Sequence, residues 1–168
     1  MSDLPTRGSN LRRPQVMEDQ AQPEPAAQEI QARIRASFER QGLMRHLGAR
    51  LGDIEPGRVR IVLPSRPEVT QQDGYIHAGA TSAIADSAGG YAAFTLFPEN
   101  TVVLTVEYKI NLVAPAVGDH LEAIGTVLKS GRTLTVCQLE VFAVQGVTRS
   151  LVAVGQQTLI CVPERSER

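Results

Sequence analysis

Asp86 is the only charged residue between His77 and Glu99, in a run of twenty-one residues that is rich in alanine and glycine. The run is long enough for a helix of about four to five turns, and a helix with almost no charge is usually buried. A carboxylate on a buried helix is costly to desolvate, so it needs a partner or a chemical task. Asp86 is therefore the main candidate for chemistry.

The start of this helix is the second candidate for chemistry. Residues 78–80 are expected to form its first turn, where backbone N–H groups lack partners within the helix and the dipole is positive. Such a terminus can hold an anion or polarise a carbonyl oxygen. The residues three and four positions from Asp86 are small and would leave room for an acyl group or a water molecule: Ser82, Ala83, Gly89 and Gly90.

The distance between these two candidates restricts how they can cooperate. From Gly79 to Asp86 the helix rises about 10 Å, at roughly 1.5 Å per residue. One acyl carbonyl can hardly touch both the helix terminus and the carboxylate of the same chain. Two such helices packed antiparallel would bring one terminus near the other chain's Asp86, which favours a composite site in a dimer. A loop that folds back within one chain would also close the gap.

The composition indicates one globular domain of 168 residues with a formal net charge of −1. No basic excess suggests nucleic acid, no apolar run has the length of a membrane span, and the N-terminus lacks a secretory signal. Cys137 and Cys161 fall in strand-like apolar runs and are interpreted as reduced core residues, so a cytoplasmic location is expected. The histidines and cysteines have no metal-ligand spacing, and we expect no metal and no cofactor.

The first half of the chain is predicted to contain a tail, two helices and one strand. Residues 1–25 hold four prolines among polar residues and are expected to be disordered. Residues 26–47 repeat apolar side chains every fourth position, which is typical of an amphipathic helix. Residues 58–63 alternate as in a strand, and a polar loop over residues 65–76 leads to the buried helix.

The second half is predicted to contain four strands, the last three forming a meander, at residues 101–113, 120–129, 132–143 and 147–162. The first of them should have one apolar and one polar face. Ser130-Gly131 suits a two-residue hairpin, and Gln145-Gly146 suits a second turn. This order predicts an α+β fold in which an antiparallel sheet curls around one central helix. The single domain would cover residues 26–163, with its core at 48–163 and a short tail at 164–168.

Three segments carry a resemblance to a known family: GYIHAGATSAIADSAGGYAA, VEYKINLVAPAVGD and SGRTLTV. They resemble the hotdog-fold acyl-CoA thioesterases of the phenylacetate-degradation (PaaI-like) type, over about residues 43–162. The family motif has Asn or Gln, then His-Gly-Gly six residues later, then Asp nine residues after the His. Gln71, His77 and Asp86 keep both spacings. The resemblance implies a hotdog fold with an extra N-terminal helix and hydrolysis of an acyl-CoA to a free acid and CoA.

The resemblance also implies roles for particular residues. The backbone N–H of Ala78, with that of Gly79, would polarise the thioester carbonyl, and Asp86 would act as general base or nucleophile. Gln71 would help to hold the reacting water or intermediate, and Thr105 on the following strand would assist the carboxylate. A simpler interpretation of Thr105 is an ordinary strand threonine.

The resemblance also bears on His77, on the contacts with CoA and on the assembly of subunits. His77 would orient the site rather than bind a metal. Ala78 replaces the first glycine of His-Gly-Gly, which keeps the backbone donor but would tolerate a positive φ poorly. Lys129 and Arg132 are candidate contacts for CoA phosphates across a subunit interface. The expected assembly is a homodimer or a dimer of dimers with shared active sites.

Two other functions stay open at this level. Hotdog domains include acyl-thioester hydratases and dehydratases, which usually pair an Asp and a His close in space, and the spacing of His77 and Asp86 argues mildly against them. A degenerate member would bind an acyl-CoA without hydrolysing it, or scaffold a partner. The acyl group is restricted only to an aryl or a short to medium chain, because several side chains could lie on either helix face: Tyr91, Phe94, Leu96 and Phe97.

Overall fold

The computed structural model describes residues 25–164, so the predicted disordered tail before residue 25 and residues 165–168 lie outside the described part. Its helices are α1 (Pro25–Glu39), α2 (Gly42–Leu47) and α3 (Ala78–Phe94), and a short 3₁₀ turn covers Pro67–Val69. Its strands are β1 (Arg50–Glu55), β2 (Arg58–Pro64), β3 (Thr101–Leu112), β4 (His120–Ser130), β5 (Leu134–Gln145) and β6 (Thr148–Pro163).

One antiparallel sheet in the order β1-β2-β4-β5-β6-β3 packs around α3, which confirms the predicted α+β hotdog architecture. α3 contacts β2, β3, β4, β5 and β6, and most of its side chains are buried. The helix approaches the sheet closely at Gly125 of β4, where a Cβ atom would overlap the backbone of Ala88 and Gly89. The neutral composition of α3 therefore follows from its central position.

The N-terminal part differs from the prediction in two ways. The single helix expected over residues 26–47 is divided into α1 and α2, because Gln41 is extended (ψ 104°) and Gly42 is a poor helix former. This break allows the buried Met44 of α2 to join the core. The strand β1 was not predicted, since its six residues contain only Leu51 and Ile54 as large apolar side chains.

The β4–β5 and β5–β6 hairpins make the last three strands a meander, as predicted. The first hairpin has a loop of residues 131–133 rather than the two-residue Ser130-Gly131 turn, and the Gly131 N–H donates to Leu134 O at 2.9 Å. The second turn lies at Gln145-Gly146 as expected, with Gly146 at φ 57°. Glycine adopts this left-handed conformation without a steric penalty.

Among the described residues, β3 lies at an edge of the sheet and pairs only with β6. A β-bulge follows Thr105, since Thr105 lies opposite Leu159 whereas Glu107 lies opposite Thr158. One extra residue reverses which side chains face α3, so the apolar set does not stay on a single face as expected for residues 101–113. Several of these apolar side chains are exposed: Leu104, Val106, Tyr108 and Leu112.

Both cysteines are free, as predicted. Burial raises the pKa of the Cys137 thiol to about 12, so this group is an unreactive core residue rather than a nucleophile. Among the described residues, no helix combines the length and the apolar character needed to cross a bilayer.

Candidate active site

Asp86 is half-buried on α3, and its carboxylate is held by two side chains from neighbouring strands. The Thr105 hydroxyl of β3 donates to Asp86 Oδ1 at 2.8 Å, and Gln157 Nε2 of β6 donates to the same oxygen at 2.6 Å. Within residues 25–164, no hydrogen bond joins Ser82 to this carboxylate, so a purely local partner does not account for it. The sequence prediction that Thr105 lies beside Asp86 agrees with this geometry.

Gln157 is the residue of this site that sequence reasoning missed. It is 1% exposed and lies seventy-one positions after Asp86 in the chain. One signal was available, because strand side chains alternate with a period of two and the neighbouring Leu159 is an obvious core residue. That periodicity places Gln157 on the face toward α3, where a polar side chain needs a partner.

Asp86 lies in a cavity of about 400 Å³, called here the Asp86 cavity, between α1, α3 and the start of β3. Its lining includes Ser37, Gln41, Asp86, Tyr91, Val103 and Thr105. Burial raises the pKa of the Tyr91 hydroxyl, so this phenol is neutral at physiological pH and lies 3.4 Å from the hydroxyl of Ser37. The N-terminal helix α1 therefore forms one wall of the cavity.

The start of α3 has the geometry of a capped helix terminus. His77 is the N-cap residue, and its Nδ1 accepts the Gly79 N–H at 2.8 Å. His77 O accepts from the N–H groups of Ala80 and Thr81. Within residues 25–164, the Ala78 N–H has no hydrogen-bond partner, so it is the donor available to a ligand, whereas the Gly79 N–H is occupied.

The replacement of glycine by Ala78 is compatible with this backbone. Ala78 is the first residue of α3, and in the described part of the chain the positive-φ residues are four glycines and Asn100. The motif position therefore does not need a left-handed conformation in this protein. His77 caps this helix through its ring nitrogen, and its predicted orienting role in the site stays a prediction.

Ala78 lies in a second cavity of about 680 Å³, called here the Ala78 cavity. Its lining includes Gln71, Tyr75, His77, Ala78, Leu112 and Val113. The predicted site residues thus form two groups in one chain, with Asp86 and Thr105 in one cavity and Gln71, His77 and Ala78 in the other. Lys129 and Arg132 are exposed at the β4–β5 hairpin and line neither cavity.

Comparisons with known proteins agree with this fold. A family model described as Thioesterase superfamily matches residues 73–150. A thioesterase family protein from Silicibacter pomeroyi is 41% identical, with a TM-score of 0.78 over 80% of this chain and 98% of that one. The E. coli PaaI protein of the phenylacetic acid degradation operon shares the fold, with a TM-score of 0.74 at 17% identity over 83% of this chain and 97% of its own.

A curated relative carries the name of an esterase. A protein of Saccharolobus solfataricus that carries the name "Putative esterase" is 31% identical over 98 residues, which are 58% of this chain and 69% of that protein. The match of the family model includes His77, which lines the Ala78 cavity, and Asp86, which lines the Asp86 cavity. The chain belongs to the thioesterase superfamily and has the hotdog fold.

Proposed function

We propose that this protein hydrolyses the thioester of an acyl-CoA at a composite site that two protomers share. The observation that carries the proposal is the position of the two cavities along the edge strand β3. Residues 101–105, at its start, line the Asp86 cavity, whereas Leu112 at its end and the adjacent Val113 line the Ala78 cavity. Each cavity holds half of the groups that thioester hydrolysis needs.

The edge of β3 supplies a reason for two copies to associate. A strand of twelve residues with unpaired backbone groups and exposed apolar side chains is a template for pairing with another strand. Val106 and Tyr108, near its middle, are 57% and 45% exposed. Antiparallel pairing of two β3 strands about a two-fold axis places the start of one beside the end of the other. Each Asp86 cavity then meets the partner's Ala78 cavity.

The chemistry divides between the two protomers. The thioester carbonyl oxygen accepts the Ala78 N–H at the positive end of one α3, which stabilises the oxyanion that forms during attack. The carboxylate of Asp86 from the facing protomer is the general base. Gln71 lines the Ala78 cavity, and in this proposal it holds the attacking water or the tetrahedral intermediate.

Hydrolysis needs only these groups and one water molecule. Asp86 takes a proton from water, the water oxygen bonds to the thioester carbon, and the carbonyl electron pair moves to the oxyanion. Collapse of this intermediate breaks the C–S bond, and the thiolate receives the proton, giving a carboxylic acid and free CoA. Direct attack by Asp86 followed by hydrolysis of the mixed anhydride uses the same atoms.

The Asp86 cavity supports an aryl or a short to medium acyl chain. It extends from the carboxylate along α3 to Tyr91 and Phe94, which supply apolar surface, and its volume of about 400 Å³ lies in the range of small-molecule pockets. In this proposal the CoA phosphates contact Lys129 and Arg132, which are exposed cations on the β4–β5 hairpin.

The test is release of CoA thiol from a panel of short, medium, long and aromatic acyl-CoAs by wild type and by Asp86→Asn. The asparagine oxygen can still accept the hydrogen bonds of Thr105 and Gln157, so the fold is retained. We expect turnover to fall by about 10²–10⁴-fold, because the general base is lost. Asp53→Asn is the matched control, since Asp53 is exposed on β1 and pairs with Arg60 far from either cavity.

Three outcomes would contradict the proposal. Near-wild-type hydrolysis by Asp86→Asn would remove the carboxylate from its role. Hydration of an enoyl-CoA without thiol release would identify a hydratase. Saturable binding of acyl-CoA without thiol release from any member of the panel would identify a binding protein.

A further inference from the structure

Gln157 connects the last strand of the sheet to the carboxylate on the central helix. Its Nε2 atom lies 2.6 Å from Asp86 Oδ1, 3.2 Å from Asp86 O and 3.0 Å from Thr105 Oγ1. The Thr105 hydroxyl, in turn, donates to Asp86 Oδ1 at 2.8 Å. The three side chains form a closed network around a single carboxylate oxygen.

This network leaves the second carboxylate oxygen available. Asp86 Oδ1 accepts from both Thr105 and Gln157, whereas Oδ2 accepts no hydrogen bond from the described residues. Because Oδ1 is held at two points, rotation of the carboxylate about its terminal torsion is restricted. Oδ2 is then the oxygen that can take a proton from water in the cavity or attack the thioester carbon.

The oxygen of the Gln157 amide lowers the stability of the folded protein. Gln157 Oε1 is buried and has no hydrogen-bond partner in the described part of the chain, and an unpaired buried acceptor costs about 1–3 kcal/mol. The reversed amide would place Oε1 against the carboxylate oxygen of Asp86 and is therefore worse. The orientation of this amide is thus fixed by its contact with Asp86.

Gly89 provides the space that this amide needs. A Cβ atom at Gly89 would overlap Gln157 Oε1 and would lie 2.6 Å from Leu139 Cδ2. Glycine in the interior of a helix is less stable than alanine by about 0.5–1 kcal/mol. The unpaired Gln157 Oε1 and the interior Gly89 therefore occur together, at the point where the amide reaches Asp86. Departures from local stability of this kind are typical of functional sites.

We propose that Gln157 is a positioning residue, which fixes Asp86 Oδ1 so that Oδ2 faces the scissile thioester. This inference rests on the proposed function, because it assigns a role within the same site. Gln157 contacts neither substrate nor water in this role and acts only through the carboxylate. The expected consequence is an effect on kcat rather than on substrate binding.

The first test replaces Gln157 by methionine, which has a similar length and no donor. A displacement of about 1 Å at a catalytic group can lower turnover by roughly 10²-fold, so we expect Gln157→Met to lower kcat by about 10–100-fold with KM changed less than about threefold. The unfolding temperature should not fall in proportion, because the variant also removes the unpaired acceptor. Gln156→Met is the matched control, since Gln156 is exposed on the opposite face of β6.

The second test is a double-mutant cycle with Asp86→Asn. If Gln157 acts through the carboxylate, Gln157→Met should not lower the residual turnover of Asp86→Asn any further. A purely structural role would instead lower turnover by a similar factor in both backgrounds. Gln157→Asn, whose amide is one methylene too short to reach Asp86, gives an independent variant should the methionine variant fold poorly, and it should lose kcat in the same way.

The results separate this inference from the function on which it rests. Wild-type kcat in a folded Gln157→Met or Gln157→Asn variant, alongside an inactive Asp86→Asn, would overturn the role of Gln157 and leave the thioesterase proposal intact. Equal losses in the two backgrounds would also overturn it. Absence of thiol release by the wild-type protein would overturn the proposed function instead.

Discussion

The proposed oxyanion donor is the backbone N–H of Ala78, and the side chain of this residue takes no part. Its N–H lies at the first position of α3, and the neighbouring Gly79 N–H is already bound by His77 Nδ1. The proposed oxyanion site therefore depends on a single amide of this helix terminus. A helix tolerates proline at this position, because the N–H has no intrahelical partner there.

Proline at position 78 is thus a substitution that removes the donor and preserves the fold. His77 has φ −63° and ψ 138°, which is the extended conformation that a residue before proline prefers. We expect Ala78→Pro to lower kcat by about 10²–10³-fold, the effect of removing one oxyanion-hole donor. Steady-state thiol release measures the loss, and circular dichroism with thermal unfolding checks the fold.

Ala78→Gly is the control for this experiment, because it changes the same residue and keeps the N–H. It should retain most of the wild-type turnover. A folded Ala78→Pro variant with wild-type kcat would show that a different group stabilises the oxyanion.

At the scale of elements, Arg33 connects α1 to the end of α3. The Arg33 guanidinium donates to Phe94 O at 2.8 Å, Phe97 O at 3.0 Å and Pro98 O at 3.1 Å. It also lies 4.6 Å from the centroid of the Phe94 ring. A cation bound to the carbonyl groups at a helix C-terminus is favourable for the dipole. This contact holds α1 as a wall of the Asp86 cavity.

Arg33→Lys should therefore destabilise the protein although the charge is kept. A lysine ammonium cannot reach three carbonyl groups with the planar geometry of a guanidinium, and hydrogen bonds to charged groups contribute about 1.5–3 kcal/mol each. We expect the free energy of unfolding in urea to fall by about 1–3 kcal/mol. Arg35→Lys, at an exposed position of the same helix, should change it by less than about 0.5 kcal/mol. Equal effects of the two variants would exclude this role for Arg33.

At the scale of the whole molecule, the proposed function needs a second protomer, because the groups that it uses line two different cavities of one chain. A chain with Ala78→Pro lacks the oxyanion donor, and a chain with Asp86→Asn lacks the base. In a dimer with shared sites, a mixed pair contains one site with both lesions and one site with neither. Activity should then return in an assembly that contains one chain of each inactive variant.

This prediction is tested by co-expressing the two variants with different tags and purifying the mixed assembly through both. We expect about a quarter to a half of wild-type turnover per assembly, because one site in two is intact. Each variant purified alone is the control and should remain inactive. A mixed assembly that stays inactive would mean that each chain contains its own complete site.

The sequence by itself determined the features of this protein that depend on the pattern of residues within short segments. The neutral composition of α3 indicated its central position, and the spacing of Gln71, His77 and Asp86 matched the family motif. The rise of a helix favoured a composite site in a dimer, with a loop that folds back within one chain as the alternative. The hairpins from β4 to β6 were also predictable, because turn residues and strand alternation are properties of short segments.

Only the tertiary structure decided which distant residues meet. Gln157 reaches Asp86 across seventy-one positions, and Arg33 connects α1 to the end of α3. One local contact was also missed: the Gly79 N–H, which was a predicted donor, is bound by the His77 ring. Local propensity fixes the conformation of each segment, whereas the partner of a buried polar group depends on how the segments pack.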